Sequence, residues 1–516
     1  LSYYPAFPYN VFPMSNYVRS IIETGLRGLL VDIECHITNG LPAIVIVGFA
    51  NRSIDEAKER LRGAFSSSGL VLPRKRITLN LAPGDIPKDG TGFDLAMALA
   101  ILLADQPLLK PLQPNEIIIG ELSLDGRVRP IRGIIGKLLA AQSMGIDCCY
   151  IPTANLSQAR LVPGLELVAI DSLQALYEHL LNLKPLNRHV SGHGLTPEKS
   201  LNPQTDLQLI AGQGRGKRAL EVAAAGGHNL LLSGPPGTGK SMLAKALPGL
   251  LPPLSPSETL AVTHLHSLAS LQFEHIITER PFRSPHHTAS QRALIGGGSA
   301  PTPGEISLSH HGVLFLDELP EFRRASIEAL RQPLEDGTIT IARSRQSVLF
   351  PAEFLLVATA NPCPCGYYGT SKPCQCLAHH IAHYQRKLSG PILDRIDLYV
   401  EVEPTEHQQL LAKNSSAETS ATVAKRVLVA RHLQLKRQKV LNSRLDNRAI
   451  KRYAKLTTEA KVFLDISAQR MELSGRAYLK IVKVARTIAD LANSQQVSEA
   501  HIIEALQFRH QPVDPL

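Results

Sequence analysis

The stretch Asn229–Gly249, NLLLSGPPGTGKSMLAKALPG, carries residues whose types and spacing suit phosphate chemistry. Gly234–Ser241 match G-x-x-x-x-G-K-[ST] at every fixed position, behind an apolar strand pattern and ahead of a helical one. The loop of Gly234, Pro235, Pro236, Gly237, Thr238 and Gly239 is expected to wrap phosphate oxygens with its backbone N–H groups. Lys240 is expected to pair with the β- and γ-phosphates of ATP, and Ser241 to ligate Mg²⁺. A second apolar run, GVLFLDE (Gly312–Glu318), ends in two acids. Asp317 would hold Mg²⁺ through water, and Glu318 would orient and deprotonate an attacking water. A third run, EFLLVATANP, ends in Asn361, whose amide could position that water beside the γ-phosphate.

A second cluster follows at once. NPCPCGYYGTSKPCQC places Cys363, Cys365, Cys374 and Cys376 as two C-x-C pairs across eight residues. Four thiolates with Gly366 and Gly369 between them suit a tetrahedral structural Zn²⁺; free thiols or a disulfide are the alternatives. With all four positions filled by protein, such a metal would pin the loop after Asn361 and catalyse nothing. Cys35, Cys148 and Cys149 lie in apolar runs and read as core.

These residues need elements to hold them. The 516 residues exceed one core and imply two or three domains, and 44% hydrophobic with 19% charged residues reads as an ordinary globular protein. Residues 1–14 read as a disordered extension and 15–185 as a block alternating β-rich runs with helical patterns. A linker at 186–205 precedes an α/β block at 206–404, whose apolar strands end at polar residues as in a buried parallel sheet. After a second linker at 405–422, residues 423–516 read as all helical. No signal peptide or apolar run long enough for a membrane span is found. The cysteine usage suits a reducing, cytoplasmic setting. A net charge of +10 suits a polyanionic partner, or simply a basic protein.

The order of the phosphate loop, the acid pair and Asn361 resembles the AAA+ ATPase fold, in the branch of magnesium chelatase motors and MCM helicases. The resemblance makes Asn361 the sensor 1 residue. LSGPILDRIDLYVEV resembles that branch's arginine-finger motif, so Arg395 would reach a neighbouring subunit's γ-phosphate; an ion pair with Asp394 or Asp397 is the plainer alternative. LSGRAYLKIVKVARTIADLANSQQVSEAHIIEALQFR matches the last helices of a helical lid, with Arg476 in the sensor 2 position and Ser474 at a helix N-cap. Arg476 could act in its own subunit or on a neighbour, or be an ordinary surface arginine.

The first block resembles the proteolytic domain of Lon, an α+β fold of the ribosomal protein S5 domain 2-like kind, through IPKDGTGFDLAMALAIL and IGELSLDGRVRPIRGIIGKLLAAQ. Where Lon-type sites carry a nucleophilic Ser, this chain has Gly92, so Lys137 has no hydroxyl to activate. The adjacent Thr91 faces another direction. The block reads as a pseudo-protease. The combination, with RPFRSPHHTASQRALIGGG and PTPGEISLSHHGVLFLDELPEF, resembles the ComM/YifB family of magnesium-chelatase-like proteins. It implies a hexameric ring that hydrolyses ATP and migrates branched or single-stranded DNA in recombination or natural transformation. His286 and His287 are expected to be structural in their loop.

DNA has support of its own. DGTITIARSRQSVLFPAEF reads as a β-hairpin with Arg343 and Arg345 at its turn, which in the resembled branch projects into the ring pore. A solvated hairpin tip is the alternative. Residues 424–455 form the densest basic run, with Asp446 its only acid, and could be a second DNA surface or a solvated helix face. Three rival functions stand beside the DNA motor: a chelatase-type motor remodelling a partner enzyme, an ATP-dependent protease, and an ATP-binding scaffold.

Overall fold

The structure is a computed structural model that describes residues 17–24, 27–48, 52–86, 88, 90–192, 205–270, 275–298, 301–342, 347–388, 390–404 and 418–509. The 1–14 extension, Arg343, Arg345 and most of the 405–422 linker lie outside the described residues. The chain divides into two compact units, Leu1–Pro197 with Thr259–Ile277, and Glu198–Glu258 with Thr278–Leu516. No helix among the described residues is long and apolar enough to cross a membrane.

The first unit holds two four-stranded sheets. In one, Tyr17–Thr24, Arg27–Thr38 and Arg76–Ala82 pair antiparallel, and Ala43–Val47 adds a parallel edge. The run AMALAILLA forms the helix Asp94–Asp105, with every residue from Asp94 to Leu103 buried. A helix apolar on all sides must be enclosed, and this one fills the unit's largest core. Its one buried acid, Asp94, is paired with Arg60 at 2.6 Å and accepts the Leu122 N–H. The other sheet packs Glu116–Ile118, Cys148–Pro152 and Glu166–Ile170 in parallel. Cys149 is fully buried there, and burial pushes the Cys148 thiol up to about 12.

Gly92 lies in this unit with room beside it. A Cβ built there would stand 3.6 Å from Ile119 Cγ2 and 3.9 Å from Ile131 Cγ2, ordinary contact distances. Lys137 Nζ donates to the Arg132 carbonyl at 3.1 Å, and the Thr91 hydroxyl donates to Glu121. Thr259–Ile277, which the sequence places in the middle block, groups with this unit. Leu260 packs against its second core, and the Gln158 side chain donates to the His275 carbonyl at 3.1 Å.

The second unit is built on a five-stranded parallel sheet in the order Phe282–Arg283, Val313–Leu316, Leu355–Ala360, Leu230–Ser233, Leu398–Glu401. Its three central strands are buried throughout, which explains their unbroken apolar sequences. Side chains alternate between faces. Leu230, Leu232, Phe315 and Val357 enter one core, while Leu231, Leu314, Leu316 and Leu356 enter the other. The first of these cores continues into the helices Ser420–Gln438 and Gly475–Leu491 through Val423, Val427, Ile481 and Ala485. The C-terminal helices are therefore packed on the sheet as part of one unit. Ser474 caps the helix Gly475–Leu491 by accepting the Ala477 N–H. The hairpin between the acid strand and the Asn361 strand is present as Thr338–Ala342 paired antiparallel with Ser347–Pro351.

A buried polar knot holds the helices together. Asp490 accepts from Arg437 at 2.7 and 2.9 Å, from Arg486 at 2.8 Å and from Asn442 at 2.8 Å. Arg486 is 1% exposed and Asp490 2%. Removing the carboxylate leaves the buried Arg486 guanidinium with backbone carbonyls but no counter-charge, and takes the same partner from the part-exposed Arg437. We expect Asp490→Ala to cost about 3–5 kcal/mol in urea unfolding of the second unit. Asp490→Asn keeps the shape and should cost less; equal stability of Asp490→Ala and the parent would contradict this account.

Candidate nucleotide site

The phosphate loop leaves the carboxyl end of Leu230–Ser233, where parallel sheets place their ligands. Gly234 passes so near the next strand that a Cβ would lie 2.3 Å from the Val402 carbonyl. Gly237 and Gly239 sit at φ 80° and 88°, a region that favours glycine. The helix Lys240–Ala246 begins at once. Lys240 is 8% exposed, and its ammonium donates to Gly234 O at 2.6 Å, Pro235 O at 2.7 Å and Asn361 Oδ1 at 3.1 Å. Burial pulls its pKa down, while the charges of Asp317 and Glu318 hold it up.

The acids meet the loop from the neighbouring strands. Ser241 Oγ donates to Asp317 at 3.2 Å, which sets both proposed Mg²⁺ ligands face to face. Glu318 has φ 54° and ψ 54°, a left-handed conformation that a glutamate adopts at a cost of about 1–3 kcal/mol. Thr359 supports it. Its hydroxyl donates to Asp317 Oδ1 at 2.6 Å and accepts the Glu318 N–H at 2.8 Å. Thr359 is fully buried, and the sequence gives no hint of this role, because threonine in an apolar strand reads as ordinary β packing. Asn361 Nδ2 donates to Glu318 Oε1 at 3.2 Å while its Oδ1 accepts from Lys240. The structure thus brings Lys240, Ser241, Asp317, Glu318 and Asn361 into one site.

It does not bring Arg395 or Arg476 there. The Arg395 carbonyl accepts from the Asn229 side chain at 2.9 Å, at the amino end of the strand that carries the phosphate loop. Four residues of strand, about 13 Å at 3.3 Å each, separate the two edges. Arg395 pairs with Glu335 instead of Asp394 or Asp397, and its side chain is 8% exposed. Asp397 bonds His228 at 3.2 Å, and Asp394 takes Arg476 at 3.5 Å. One turn along the same helix, Lys480 donates to the Ile396 carbonyl at 2.8 Å. Arg395, Arg444, Lys480 and Lys483 line a cleft of about 640 Å³ at this edge.

The four cysteines converge. All four sulfurs lie within 4.8 Å of one another, with Cys363–Cys365 at 3.3 Å, Cys365–Cys374 at 3.5 Å and Cys363–Cys374 at 3.7 Å. A disulfide needs about 2.05 Å. Zn–S bonds of about 2.3 Å in a tetrahedron place sulfurs about 3.8 Å apart, so the donor set fits Zn²⁺. The Tyr368 N–H donates to Cys363 Sγ and the Cys365 N–H to Cys376 Sγ, bonds that stabilise the charged thiolate form.

Most of the basic C-terminal run is exposed, Lys425, Lys436, Lys439, Arg444, Arg448, Lys451, Arg452 and Lys455 among it, while three of its arginines are engaged within the unit. Arg426 pairs with Glu221 and Glu418, Arg431 donates to the Ala224 carbonyl, and Arg437 binds Asp490. Asp446 caps the helix Asn447–Tyr453 by accepting the Ala449 N–H. The His287 ring meets Phe322 edge-on at 6.5 Å, and the exposed His286 bonds Thr288. Buried His310 has its pKa pushed down to about 3 by desolvation, and accepts the Glu353 N–H as a neutral ring.

Comparison with known proteins covers both units. Residues 206–410 match the family described as magnesium chelatase, subunit ChlI. Residues 33–155 match subunit ChlI of Mg-chelatase, and 417–509 the ChlI C-terminal family. The chain is 42% identical over 494 residues to the uncharacterized protein YifB of Salmonella typhimurium, covering 95% of this chain and 96% of that one. It is 42% identical over 495 residues to competence protein ComM of Haemophilus influenzae, covering 95% and 97%. An N-terminal stretch is 31% identical over 154 residues to a Lon protease of Mycolicibacterium smegmatis, covering 29% of this chain and 20% of that protein.

Thr359 yields a test that separates positioning from binding. Thr359→Val keeps the buried shape and removes the hydroxyl that holds Asp317 and the Glu318 N–H. ATP turnover should fall about 10–100-fold with a raised Mg²⁺ requirement, the range typical of lost outer-shell support. Nucleotide affinity, set by Lys240 and the loop, should hardly move. Parental turnover and Mg²⁺ dependence in the valine variant would remove Thr359 from the site.

Proposed function

This chain belongs to the magnesium-chelatase-like family that includes YifB and ComM, and from that premise we infer that it is an ATP-hydrolysing, ring-forming DNA motor. The observation that carries the ATPase is the linked set Lys240–Asn361–Glu318 beside Ser241–Asp317. Lys240 and the loop N–H groups bind the phosphates. Glu318 accepts a proton from the attacking water, and Asn361 fixes that water relative to the carboxylate. Ser241 and Asp317 would hold Mg²⁺, which would supply charge neutralisation at the β- and γ-phosphates.

Arg395 and Arg476 sit together at the opposite edge of the sheet, so both act on a neighbouring subunit's nucleotide. A guanidinium delivered in trans stabilises the transition-state charge and makes a ring, six-membered in this reading, the working form. Cys363, Cys365, Cys374 and Cys376 hold a structural Zn²⁺. The first unit, with Gly92 in place of a nucleophile, serves assembly or partner contacts. DNA passes the hairpin tip, where Arg343 and Arg345 contact phosphates without reading bases. The competence in the Haemophilus relative's name accords with branch migration in recombination or transformation. The family description favours one rival, a motor that remodels a chelatase partner. ATP turnover that DNA leaves unchanged would favour that rival.

Two experiments test the reading. Arg395→Ala and Lys240→Ala proteins, each inactive alone, should regain partial ATP turnover when mixed, since each supplies what the other's interface lacks. No rescue at any ratio would count against a finger acting in trans. The double variant Arg343→Ala/Arg345→Ala should keep basal turnover but lose DNA stimulation and strand displacement together. Its DNA binding should weaken alike across sequences, with a salt slope shallower by about two phosphate contacts. A double variant that unwinds branched DNA at the parental rate would sink the pore-hairpin assignment.

A further inference from the structure

The four-cysteine loop touches the nucleotide site at two points. Its first ligand, Cys363, is two residues beyond Asn361, and the segment between is fastened on both sides. The Gln385 side chain donates to the Pro362 carbonyl at 3.2 Å, and a backbone hydrogen bond joins Asn361 to buried Tyr384. The second point is Gly366, at φ 83° in the turn closed by its N–H donating to the Cys363 carbonyl at 2.9 Å. It lies directly on the phosphate loop: a Cβ there would stand 2.6 Å from Pro236 Cδ and 3.1 Å from Pro236 Cγ. The Gly234 N–H, in turn, donates to the Ala360 carbonyl at 3.2 Å. The sulfur cluster, Asn361 and the phosphate loop thus form one closed circuit of short contacts.

We propose that the four-thiolate metal site is a clamp on the hydrolytic geometry, holding Asn361 between Lys240 and Glu318 and seating Gly366 against Pro236. This rests on the zinc reading above and adds a role to it. A metal joining Cys363 and Cys365 to Cys374 and Cys376 ties the two ends of an eight-residue loop to each other, beside the hydrogen bonds that Gln385 and Tyr384 make to the Asn361–Pro362 segment. The groups that bind phosphate, the loop N–H groups and Lys240, belong to another strand and helix, and two of the three Lys240 acceptors are carbonyls of that loop itself. Asn361 and Glu318 depend on the tip that the clamp fixes. Metal occupancy should therefore govern turnover and leave nucleotide affinity largely alone.

The test compares the untagged full-length protein, as purified and after removal of metal with a chelator under reducing conditions. Elemental analysis, binding of a fluorescent ATP analogue and ATP turnover are measured on both. The purified protein should carry about one zinc per chain. Its metal-free form should bind the analogue as before, turn over ATP about 10–100-fold more slowly, and recover when Zn²⁺ is returned. If the metal-free chain loses structure, Gly366→Ala gives the answer with the metal in place. It keeps all four thiolates and its zinc, forces the loop off Pro236, and should lower turnover without lowering analogue affinity. Zinc-free protein or Gly366→Ala protein turning over ATP at the parental rate would overturn the clamp. So would a parallel loss of binding and turnover in Gly366→Ala. Purified protein without zinc would overturn the metal reading itself, and a parent with no ATP turnover would overturn the ATPase reading.

Discussion

The ammonium of Lys240 sits out of water, and a charge so placed costs several kcal/mol unless acceptors surround it. Two carbonyls of its own loop and the Asn361 amide take its three protons, and two carboxylates lie close enough to favour the charge. That need dictates much of the second unit. The acceptors come from the loop after one strand and the tip of the adjacent one, and the acids come from the strand beyond. Only a sheet that ends these three strands side by side can assemble them. The unbroken apolar strands and the two alternating cores produce that alignment.

The same sheet also separates chemistry into two half-sites. Its carboxyl edge gathers Lys240, Ser241, Asp317, Glu318 and Asn361, the groups that the proposed ATPase assigns to phosphate and water. Its amino edge holds Arg395 and Arg476, fastened to Glu335 and Asp394. Lys480 bonds the carbonyl just beyond Arg395 from the helix that also bears Arg476, so the two arginines are linked through one helix. A single chain cannot bring its own two edges together. This is the physical reason for expecting subunits to share a site.

The reach of sequence reasoning followed the kind of constraint involved. Lys240, Ser241, Asp317, Glu318 and Asn361 were legible because each stands at a fixed offset from a strand or loop with a strong local signature. The hairpin and the helix cap at Ser474 were legible for the same reason. Thr359 was not, since its role arises only when the Asn361 strand lies beside the acid strand. Glu335 as the partner of Arg395 was equally hidden, being 60 residues away in the chain. Charge density at 424–455 was legible as an exposed basic face, with Lys436, Arg448, Lys451 and Arg452 in solvent, but not which arginines turn to partners. A run of basic residues looks the same whether it faces solvent or, like Arg437, turns inward to a buried carboxylate. Grouping of Thr259–Ile277 with the first unit was also beyond local pattern, because it depends on what Leu260 and His275 touch.

The space beside Gly92 has an evolutionary meaning. Its walls, Ile119 and Ile131, stand at normal contact distance from an added carbon, and the backbone there demands no glycine. A serine would fit without moving a neighbour, so the architecture neither needs the hydroxymethyl nor resists it. Folding makes no demand on the side chain at this position, and selection can change it without touching the core. A position whose side chain can come or go at no cost to packing leaves the domain free to serve as a building block whatever stands there.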